Sequence, residues 1–313
     1  MKIAITGGMG FIGTELVSRF ADGSDEITVV DFWDSLLRDY ESARYPALNR
    51  IYRNLSIAEQ VITPDEFMTQ LRESRVPDVI VHLGAIVDTT DLGSDTMIQE
   101  NVRFTRTLVS VANDRPTEFV PGIVFASSAA TYGANHLQPN NPYGLTKVLG
   151  EKVISQTRGQ YAMLRLFNVF GALEHHKRGS ASLPFKLAQA YTTGDLWFDM
   201  HSPHASRDFV PVTSVADEIV RIATDMTSRE SDGSDGIRGT WDVGTGESTL
   251  LTDMDTFIQQ ARRCSRSLVR EVPIPKSIAG RYQSFTCAGL NGMPLIGNRM
   301  NTRDGIEEQY GIR

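Results

Sequence analysis

Apolar residues in the first half of the chain fall into short unbroken runs rather than alternating with polar residues. Four such runs predict strands that are buried on both faces, at Ile3–Thr6, Glu26–Val30, Val79–His82 and Gly122–Ala126. A further run at Ala162–Arg165 continues the same pattern. Because a parallel sheet buried on both faces needs helices on both sides, the pattern predicts an α/β fold.

Longer stretches with apolar positions three and four residues apart lie between these runs. They predict helices at Phe11–Phe20, Pro64–Arg72, Met97–Asn113 and Tyr143–Gln156. Strand and helix thus alternate along the chain, which is typical of right-handed βαβ units. The sequence therefore predicts a Rossmann-type, doubly wound parallel sheet.

The pattern changes after Asn168. Helices are predicted at Leu183–Tyr191, at Thr213–Asp225 with Thr213 or Ser214 as N-cap, at Thr252–Cys264 and at Thr302–Tyr310. A Ser-, Asp- and Gly-rich loop is predicted at Ser228–Gly239, followed by a strand at Thr240–Val243. We expect residues 1–167, with 208–243 returning to them, to form the sheet domain. Residues 168–207 and 244–313 are expected to form a smaller C-terminal α/β lobe.

Charge and composition narrow the possible partners. The net charge of −7 argues against a protein that coats nucleic acid or an anionic membrane. The chain begins with a strand pattern, and no apolar run approaches the roughly 20 residues that cross a bilayer. We therefore expect a cytoplasmic protein that binds neither nucleic acid nor membrane. Cys264 and Cys287 lack metal-type spacing, so no metal site is expected.

A glycine-rich turn follows the first predicted strand and opens the first helix. Its glycines are Gly7, Gly10 and Gly13, and the helix N-terminus after them offers free amides to a pyrophosphate. Asp31 ends the second strand, where a carboxylate accepts hydrogen bonds from a ribose diol. The turn predicts a dinucleotide cofactor. Asp31 favours NAD over NADP because it repels a 2′-phosphate, an effect that Arg38 would soften.

A second group of residues points to hydride-transfer chemistry. Tyr143 and Lys147 are four residues apart on a predicted helix and share one face. Ser127 and Ser128 end a strand at the carboxyl edge of the sheet, where ligands of such sheets bind. A tyrosine, with a pKa of about 10, needs a neighbouring cation to act as a base at neutral pH. The serine hydroxyl would hold the oxygen of the reacting carbinol.

The glycine turn, "SSAATYG" and the Tyr-x-x-x-Lys pair together resemble the extended short-chain dehydrogenase/reductases that act on nucleotide sugars. Further matches are "HLGA", "FNVFG", "RDFVPV" and "DVGTG", which spread over almost the whole chain. The resemblance implies a tightly bound NADP or NAD, a nucleotide-diphosphate sugar as partner and a homo-oligomer. It implies that the sheet domain binds the cofactor, the C-terminal lobe binds the substrate, and Ser128, Tyr143 and Lys147 are catalytic.

The resemblance also implies the binding residues. Cofactor contacts are expected from Gly7, Gly10, Phe11, Ile12, Gly13, Asp31, Phe32, Arg38, Leu55, Leu83, Gly84, Ala85, Asn101, Tyr143 and Lys147. Substrate contacts are expected from Thr89, Ser128, Asn168, Ser182, Arg207, Arg281 and Tyr282.

Within that family, "SSAATYG", "EHHKRGSAS" and "GRYQSFT" resemble the ADP-glycero-manno-heptose 6-epimerases. This likeness implies transient oxidation of a carbinol and re-reduction from its other face, with Lys177 as a second acid/base. A UDP-sugar 4-epimerase and an NDP-sugar 4,6-dehydratase remain alternatives, although Ala129 and Ala130 replace the acid pair that a dehydratase needs. A non-catalytic, cofactor-sensing protein is a further alternative.

Overall fold

The computed structural model describes residues 1–311 apart from 22, 24, 33–35, 38–40, 42–47, 74, 88–94, 115–118, 135–137, 195–196, 233–235, 280–281 and 297–299. It describes only the backbone of 176, 178–179, 229–232 and 277–278.

An eight-stranded, fully parallel sheet forms the centre of the molecule, in the order β3-β2-β1-β4-β5-β6-β11-β14. Its strands are β1 Lys2–Thr6, β2 Glu26–Val30, β3 Gln60–Ile62, β4 Val79–His82, β5 Gly122–Ser128, β6 Tyr161–Leu166, β11 Arg238–Val243 and β14 Leu295–Ile296. Strands β2 and β4 lie on opposite sides of β1, so the strand order reverses direction at β1. This is the predicted doubly wound sheet, and it creates a crevice at the carboxyl ends of the strands.

Helices cover both faces of this sheet. They are α1 Phe11–Ala21, α2 Leu48–Ile57, α3 Pro64–Arg72, α4 Asp95–Asn113, α5 Pro142–Ile154 and α7 Val212–Asp232. On one face, Leu16 and Phe20 of α1 and Ile219 of α7 join the largest apolar cluster. On the other face, α3, α4 and α5 bury smaller clusters around Phe67 and Phe125. Burial of apolar area on both faces is the main force that holds the layers together.

The remaining elements build a smaller lobe beside the carboxyl edge of the sheet. It contains α6 Leu183–Thr193, α8 Leu251–Ala261, α9 Lys276–Ala279 and α10 Thr302–Tyr310, with short strand pairs of β7 Val169–Phe170, β8 Phe198–His201, β9 Ser206–Arg207, β10 Val210–Pro211, β12 Thr249–Leu250 and β13 Val269–Val272. A separate apolar cluster around Met254 and Ile258 holds this lobe. Its segment β14 returns to the main sheet and pairs with β11.

Several predicted boundaries are wrong. The loop predicted at Ser228–Gly239 starts too early, because α7 continues to Asp232. Within this polar stretch the Ser228 hydroxyl donates to the carbonyl of Thr224, so its hydrogen bond is made inside the helix. The loop also ends too late, since the Arg238 side chain donates to the carbonyls of residues 157–159 and starts β11 there.

Two predicted helix ends and one whole helix also differ from expectation. Helix α7 begins at Val212, so Thr213 and Ser214 lie inside it rather than capping it. Helix α8 ends at Ala261, because Arg263 has a left-handed backbone with φ of 52°. Helix α2 was not predicted. Its apolar residues Leu48, Ile51 and Leu55 do have helical spacing, and it packs against α1, where the Asn54 amide donates to the carbonyl of Thr14 at 2.8 Å.

Candidate active site

The glycine turn brings three stretches of backbone into direct contact. Gly7 has φ of 72°, and a Cβ at this position would lie 2.8 Å from the amide nitrogen of Gly84. A Cβ at Gly13 would lie 2.2 Å from the carbonyl oxygen of Gly7. No other residue type fits either position without moving the backbone. The turn therefore leaves the N-terminus of α1 open toward the crevice, where an anion is stabilised.

Asp31 is fixed at the end of β2. Its two carboxylate oxygens accept hydrogen bonds from the amides of Met9, at 3.0 Å, and Phe32, at 2.9 Å. Burial raises the pKa of Asp31, and these two bonds oppose the rise. The carboxylate thus lies beside the glycine turn, at the position predicted for a ribose contact.

The loop after β4 is held by side chains rather than by secondary structure. His82 hydrogen-bonds to the hydroxyls of Thr6, at 2.8 Å, and Thr105, at 3.0 Å. Burial, helped by the charge of Lys147, lowers the pKa of His82 to about 3, so its imidazole is neutral at ordinary pH. Asn101 binds both the amide and the carbonyl of Ile86. Residues 83–87 are therefore fixed along the crevice.

Ser128, Tyr143 and Lys147 converge at the carboxyl end of β5. Burial raises the pKa of Tyr143 to about 12, and a hydrogen bond with Ser128 opposes this rise. The ammonium of Lys147 donates to the carbonyl of Ala126 at 2.7 Å and lies 5.6 Å from the centre of the Tyr143 ring. Burial lowers the pKa of Lys147 to about 8. The structure thus brings the three predicted side chains together at one place in the crevice.

These elements line a cleft of about 1060 Å³. The predicted residues that line it are Gly7, Gly10, Phe11, Ile12, Gly13, Asp31, Phe32, Leu83, Gly84, Ala85, Asn101, Ser128, Tyr143, Lys147, Asn168, Lys177, Arg207 and Tyr282. Its volume lies at the upper end of the range for small-molecule and cofactor pockets, which suits a dinucleotide together with a second ligand.

A second cavity, of about 420 Å³, adjoins the cleft on the side of the smaller lobe. Asn168, Lys177, Arg207 and Tyr282 line both spaces. The Arg207 guanidinium lies 5.2 Å from the centre of the Tyr282 ring. The cavity is lined by three cationic groups, Lys177, Lys186 and Arg207, and by two carboxylates. Glu174 is paired with Lys177, and Asp199 is paired with Arg270. The excess of cationic groups favours an anionic ligand.

Lys177 is held at the junction of the two spaces. Its ammonium lies 3.1 Å from an oxygen of Glu174 and 4.0 Å from the centre of the Phe11 ring. Glu174 is fully buried, and it also accepts hydrogen bonds from the amide of Gly171 and from the amide and hydroxyl of Ser182. Ser182 therefore lines the second cavity while it also caps α6.

Some predicted residues are not brought to the cleft. Leu55 lies on α2 and packs against the main apolar cluster, so the structure does not place it among the residues lining either space. Arg38, Thr89 and Arg281 lie outside the described residues.

Sequence reasoning missed several residues that organise the site. Glu151 and Glu174 are buried carboxylates paired with Arg165 and Lys177. Asp208 accepts hydrogen bonds from the amides of Thr245, Gly246 and Ala288. Glu151 stands four residues after Lys147, so helical spacing was a signal that could have found it. Nothing in the local sequence marks Glu174 or Asp208 as buried.

Two possible features are not found in the part of the chain that the structure describes. There is no group of three or more His, Cys, Asp and Glu side chains that could hold a metal ion. No described helix has the length and apolar character to cross a membrane.

Comparison with known proteins places this geometry in context. The sequence model of the NAD-dependent epimerase/dehydratase family matches residues 3–234. Among solved structures, the ADP-L-glycero-D-manno-heptose 6-epimerase of Helicobacter pylori is similar, with a TM-score of 0.72, 20% identity and coverage of 98% of this chain and 94% of that one.

Two other solved structures are equally similar. UDP-glucose 4-epimerase of Thermotoga maritima, solved with UDP-glucose, has a TM-score of 0.74, 18% identity and coverage of 99% and 97%. An NAD-dependent NDP-hexosamine 5,6-dehydratase involved in tunicamycin biosynthesis has a TM-score of 0.71, 19% identity and coverage of 99% and 96%. At these identities the structural likeness shows the fold.

Proposed function

This chain belongs to the NAD-dependent epimerase/dehydratase family, and from that premise we propose that it is a nucleotide-sugar epimerase. The proposed reaction is transient oxidation of a carbinol followed by re-reduction of the ketone from its other face. We propose further that the inverted carbon is exocyclic, as in the ADP-glycero-manno-heptose 6-epimerases.

One observation carries this proposal. The cleft that holds Tyr143 and Lys147 continues into a second cavity, and Lys177 and Arg207 line both. A dinucleotide in the cleft and a nucleotide diphosphate in the second cavity would therefore place the sugar between them, beside Tyr143. The cationic groups of the second cavity suit a pyrophosphate.

The residues of the cleft fit a nicotinamide dinucleotide. The glycine turn leaves the end of α1 open to the pyrophosphate, Asp31 stands where a ribose diol would bind, and Lys147 stands at the nicotinamide end. Bound there, the nicotinamide would accept a hydride and later return it. We propose NAD as the preferred form, because the Asp31 carboxylate opposes a 2′-phosphate.

The chain's own residues handle the proton. Ser128 and Tyr143 would both hydrogen-bond to the reacting hydroxyl, and the Tyr143 oxygen would take its proton as the carbinol C–H bond breaks. The Lys147 ammonium favours the phenolate that forms for this step. When the ketone is re-reduced without rotating, Tyr143 would give the proton back to the carbonyl oxygen and regenerate the starting sugar.

Lys177 is proposed as the second proton donor. If the ring stays bound while the exocyclic carbonyl rotates, the carbonyl oxygen moves away from Tyr143 and needs a donor on the other side. The ammonium of Lys177 lines both spaces and is fixed by Glu174, which supports this role.

The chain lacks the acidic side chain that a 4,6-dehydratase needs for elimination. Elimination needs an acid directly after the catalytic hydroxyl, and the chain has Ala129 and Ala130 there, in the short helical turn that Ser128 caps. A UDP-sugar 4-epimerase would use Ser128 and Tyr143 but would have no need of Lys177.

Substitution of Lys177 distinguishes the two kinds of epimerase. We expect Lys177→Ala to lower kcat by about 10² to 10⁴, the usual contribution of one acid/base group, while NAD binding and the first oxidation persist. The measurement is kcat together with single-turnover reduction of the nicotinamide. Full epimerase activity in Lys177→Ala would favour the 4-epimerase reaction.

The substrate itself is found by a screen. ADP-, GDP- and UDP-linked hexoses and heptoses are incubated with the NAD-loaded protein in deuterated water and followed by NMR, with Tyr143→Phe as the inactive control. We expect one class to give the epimer without deuterium in the product. Deuterium at a carbon beside a carbonyl would instead indicate enolisation and contradict transient oxidation.

A further inference from the structure

Three consecutive residues at the carboxyl end of β5 each hold one residue of α5, and the residues they hold are spaced by four positions along the helix. The pairs are Ser128 with Tyr143, Ala126 with Lys147 and Ser127 with Glu151. The first two pairs belong to the proposed proton-transfer site. The third pair joins the same strand end to the same helix and has no role in the reaction described so far.

The carboxylate of Glu151 is buried and fully engaged. It accepts a hydrogen bond from the Ser127 hydroxyl at 2.5 Å and two from the Arg165 guanidinium, at 2.9 and 2.8 Å. A buried ion pair of this kind adds little to stability compared with apolar side chains of similar size. Its place one helical turn after Lys147 therefore suggests a purpose other than stability.

We propose that Glu151 is a positioning residue for the active site: its charge keeps Lys147 in the ammonium form, and its bond to Ser127 fixes the strand end that carries Ser128. Arg165 holds the carboxylate in place from behind.

The electrostatics around Lys147 agree with this role. Burial lowers the pKa of Lys147 to about 8, and the charge of Glu151 opposes that change. The groups nearest to Lys147 among the other described residues carry no negative charge that would raise its pKa. The phenol of Tyr143 and the imidazole of His82 are neutral at working pH, and the carbonyl of Ala126 is only a dipole. Among the described residues, α4 contributes Glu100 to the cleft, but its carboxylate is half exposed and paired with Arg103.

The support behind Glu151 reaches across the sheet. The Arg165 guanidinium lies 4.8 Å from the centre of the Tyr132 ring, and the Tyr132 hydroxyl donates to Asp242 at 2.7 Å. Asp242 in turn accepts from the amide of Gly289 at 2.9 Å. These contacts link Glu151 to β6, β11 and the C-terminal lobe. Its carboxylate therefore cannot move away from Ser127 without breaking several hydrogen bonds.

The inference rests on the proposed function, because it assumes that Lys147 assists Tyr143, but its test needs no sugar. The chain has six lysines, at positions 2, 147, 152, 177, 186 and 276. Lysine labelled with ¹³C at Cε therefore gives a simple NMR spectrum of the full chain with NAD added, and Lys147→Arg identifies the signal of Lys147. The titration midpoint of that signal is the readout.

We expect Glu151→Gln to lower the Lys147 midpoint by on the order of one pH unit relative to the unmodified protein, and Glu151→Asp to restore most of it. Arg165→Met should move the midpoint upward, because it leaves the carboxylate unpaired. Glu218→Gln is the matched control: Glu218 is a buried glutamate paired with an arginine three residues later, on α7, and it should leave the midpoint unchanged.

Two results decide the matter. A lowered titration midpoint of Lys147 in folded Glu151→Gln supports the inference. If Glu151→Gln does not fold, a raised Lys147 midpoint in Arg165→Met supports it instead. An unchanged midpoint in both variants would overturn it. Since no sugar nucleotide takes part, a failed substrate screen would count against the proposed function and leave this result intact. With a substrate in hand, the alkaline limb of the kcat profile should move to lower pH in Glu151→Gln.

Discussion

At the scale of single residues, burial disfavours charge on both Tyr143 and Lys147. It raises the pKa of the Tyr143 phenol to about 12 and lowers that of the Lys147 ammonium to about 8. The phenol is thus protonated at neutral pH. The carboxylates of Asp31, which is partly buried, and Glu151, which is buried, are both supplied with hydrogen-bond donors.

The first residue-scale prediction concerns cofactor choice. We expect the protein to bind NAD at least about tenfold more tightly than NADP, and Asp31→Asn to reduce that ratio to about one, because the repulsion of a 2′-phosphate is removed. Fluorescence titration with NADH and NADPH measures both. Asp25→Asn, before the other end of β2 and paired with the N-terminus, serves as the control. An unchanged ratio in Asp31→Asn would place the ribose elsewhere.

A second residue-scale prediction concerns stability in acid. The pKa of His82 falls from 6.5 in the unfolded chain to about 3 in the folded chain. Between these pH values the unfolded chain binds a proton at His82 and the folded chain does not. Between these two values, stability should fall by up to about 1.4 kcal/mol for each unit that the pH drops. Urea unfolding at several pH values measures this. His82→Gln should flatten the slope between pH 6.5 and 3, and an equal slope in this variant would contradict the assignment.

At the scale of elements, the C-terminal helix α10 supports the segment that carries Lys177. The Gln309 side chain accepts a hydrogen bond from the amide of Ala172 at 3.1 Å, and the Tyr310 ring stacks on that of Phe170 at 6.2 Å. These contacts hold the residues on either side of Gly171, whose amide donates a hydrogen bond to Glu174. A helix at the end of the chain is thus part of the geometry of the proposed second proton donor.

This arrangement gives an element-scale prediction. Gln309→Ala should lower kcat severalfold, as expected for the loss of one hydrogen bond of about 1 kcal/mol, without changing the affinity for NAD. Glu307→Ala, an exposed position on the same helix, is the matched control. Equal kcat values for the two variants would show that α10 does not influence the Lys177 segment.

Elements also differ in how far sequence could predict them. Six of the eight strands of the main sheet were predicted, most of them from apolar runs, and β1, β2 and β4 have nearly the predicted bounds. The short edge strands β3 and β14 were not predicted. Two-residue strands such as β9 and β12 were not, since their partners lie far along the chain and only the tertiary fold brings them together. Helix α2 was missed although Leu48, Ile51, Tyr52 and Leu55 have helical spacing, a signal that could have found it.

At the scale of the whole molecule, the residues of the main cleft could be predicted from the sequence more fully than those around the second cavity. The family match ends at residue 234, and it includes the glycine turn, Ser128, Tyr143 and Lys147, which were identified from motifs of fixed spacing. The second cavity depends on Tyr282 and on a buried scaffold around Asp208 and Glu174. Five of the residues lining this cavity were expected from the family resemblance: Asn168, Lys177, Ser182, Arg207 and Tyr282. The buried carboxylates behind them look like surface residues in a sequence and were found only in the structure.

The central claim is that the Tyr143 phenol, the Lys147 ammonium and the nicotinamide of a dinucleotide meet at one carbinol, and a crystal structure of the NAD complex tests it most directly. We predict pyrophosphate at the amides of Gly10 to Gly13, the adenosine ribose at Asp31, and the reactive face of the nicotinamide toward the Tyr143 hydroxyl. A dinucleotide bound elsewhere, a Tyr143 hydroxyl turned away from it, or no binding of NAD at all would contradict the account.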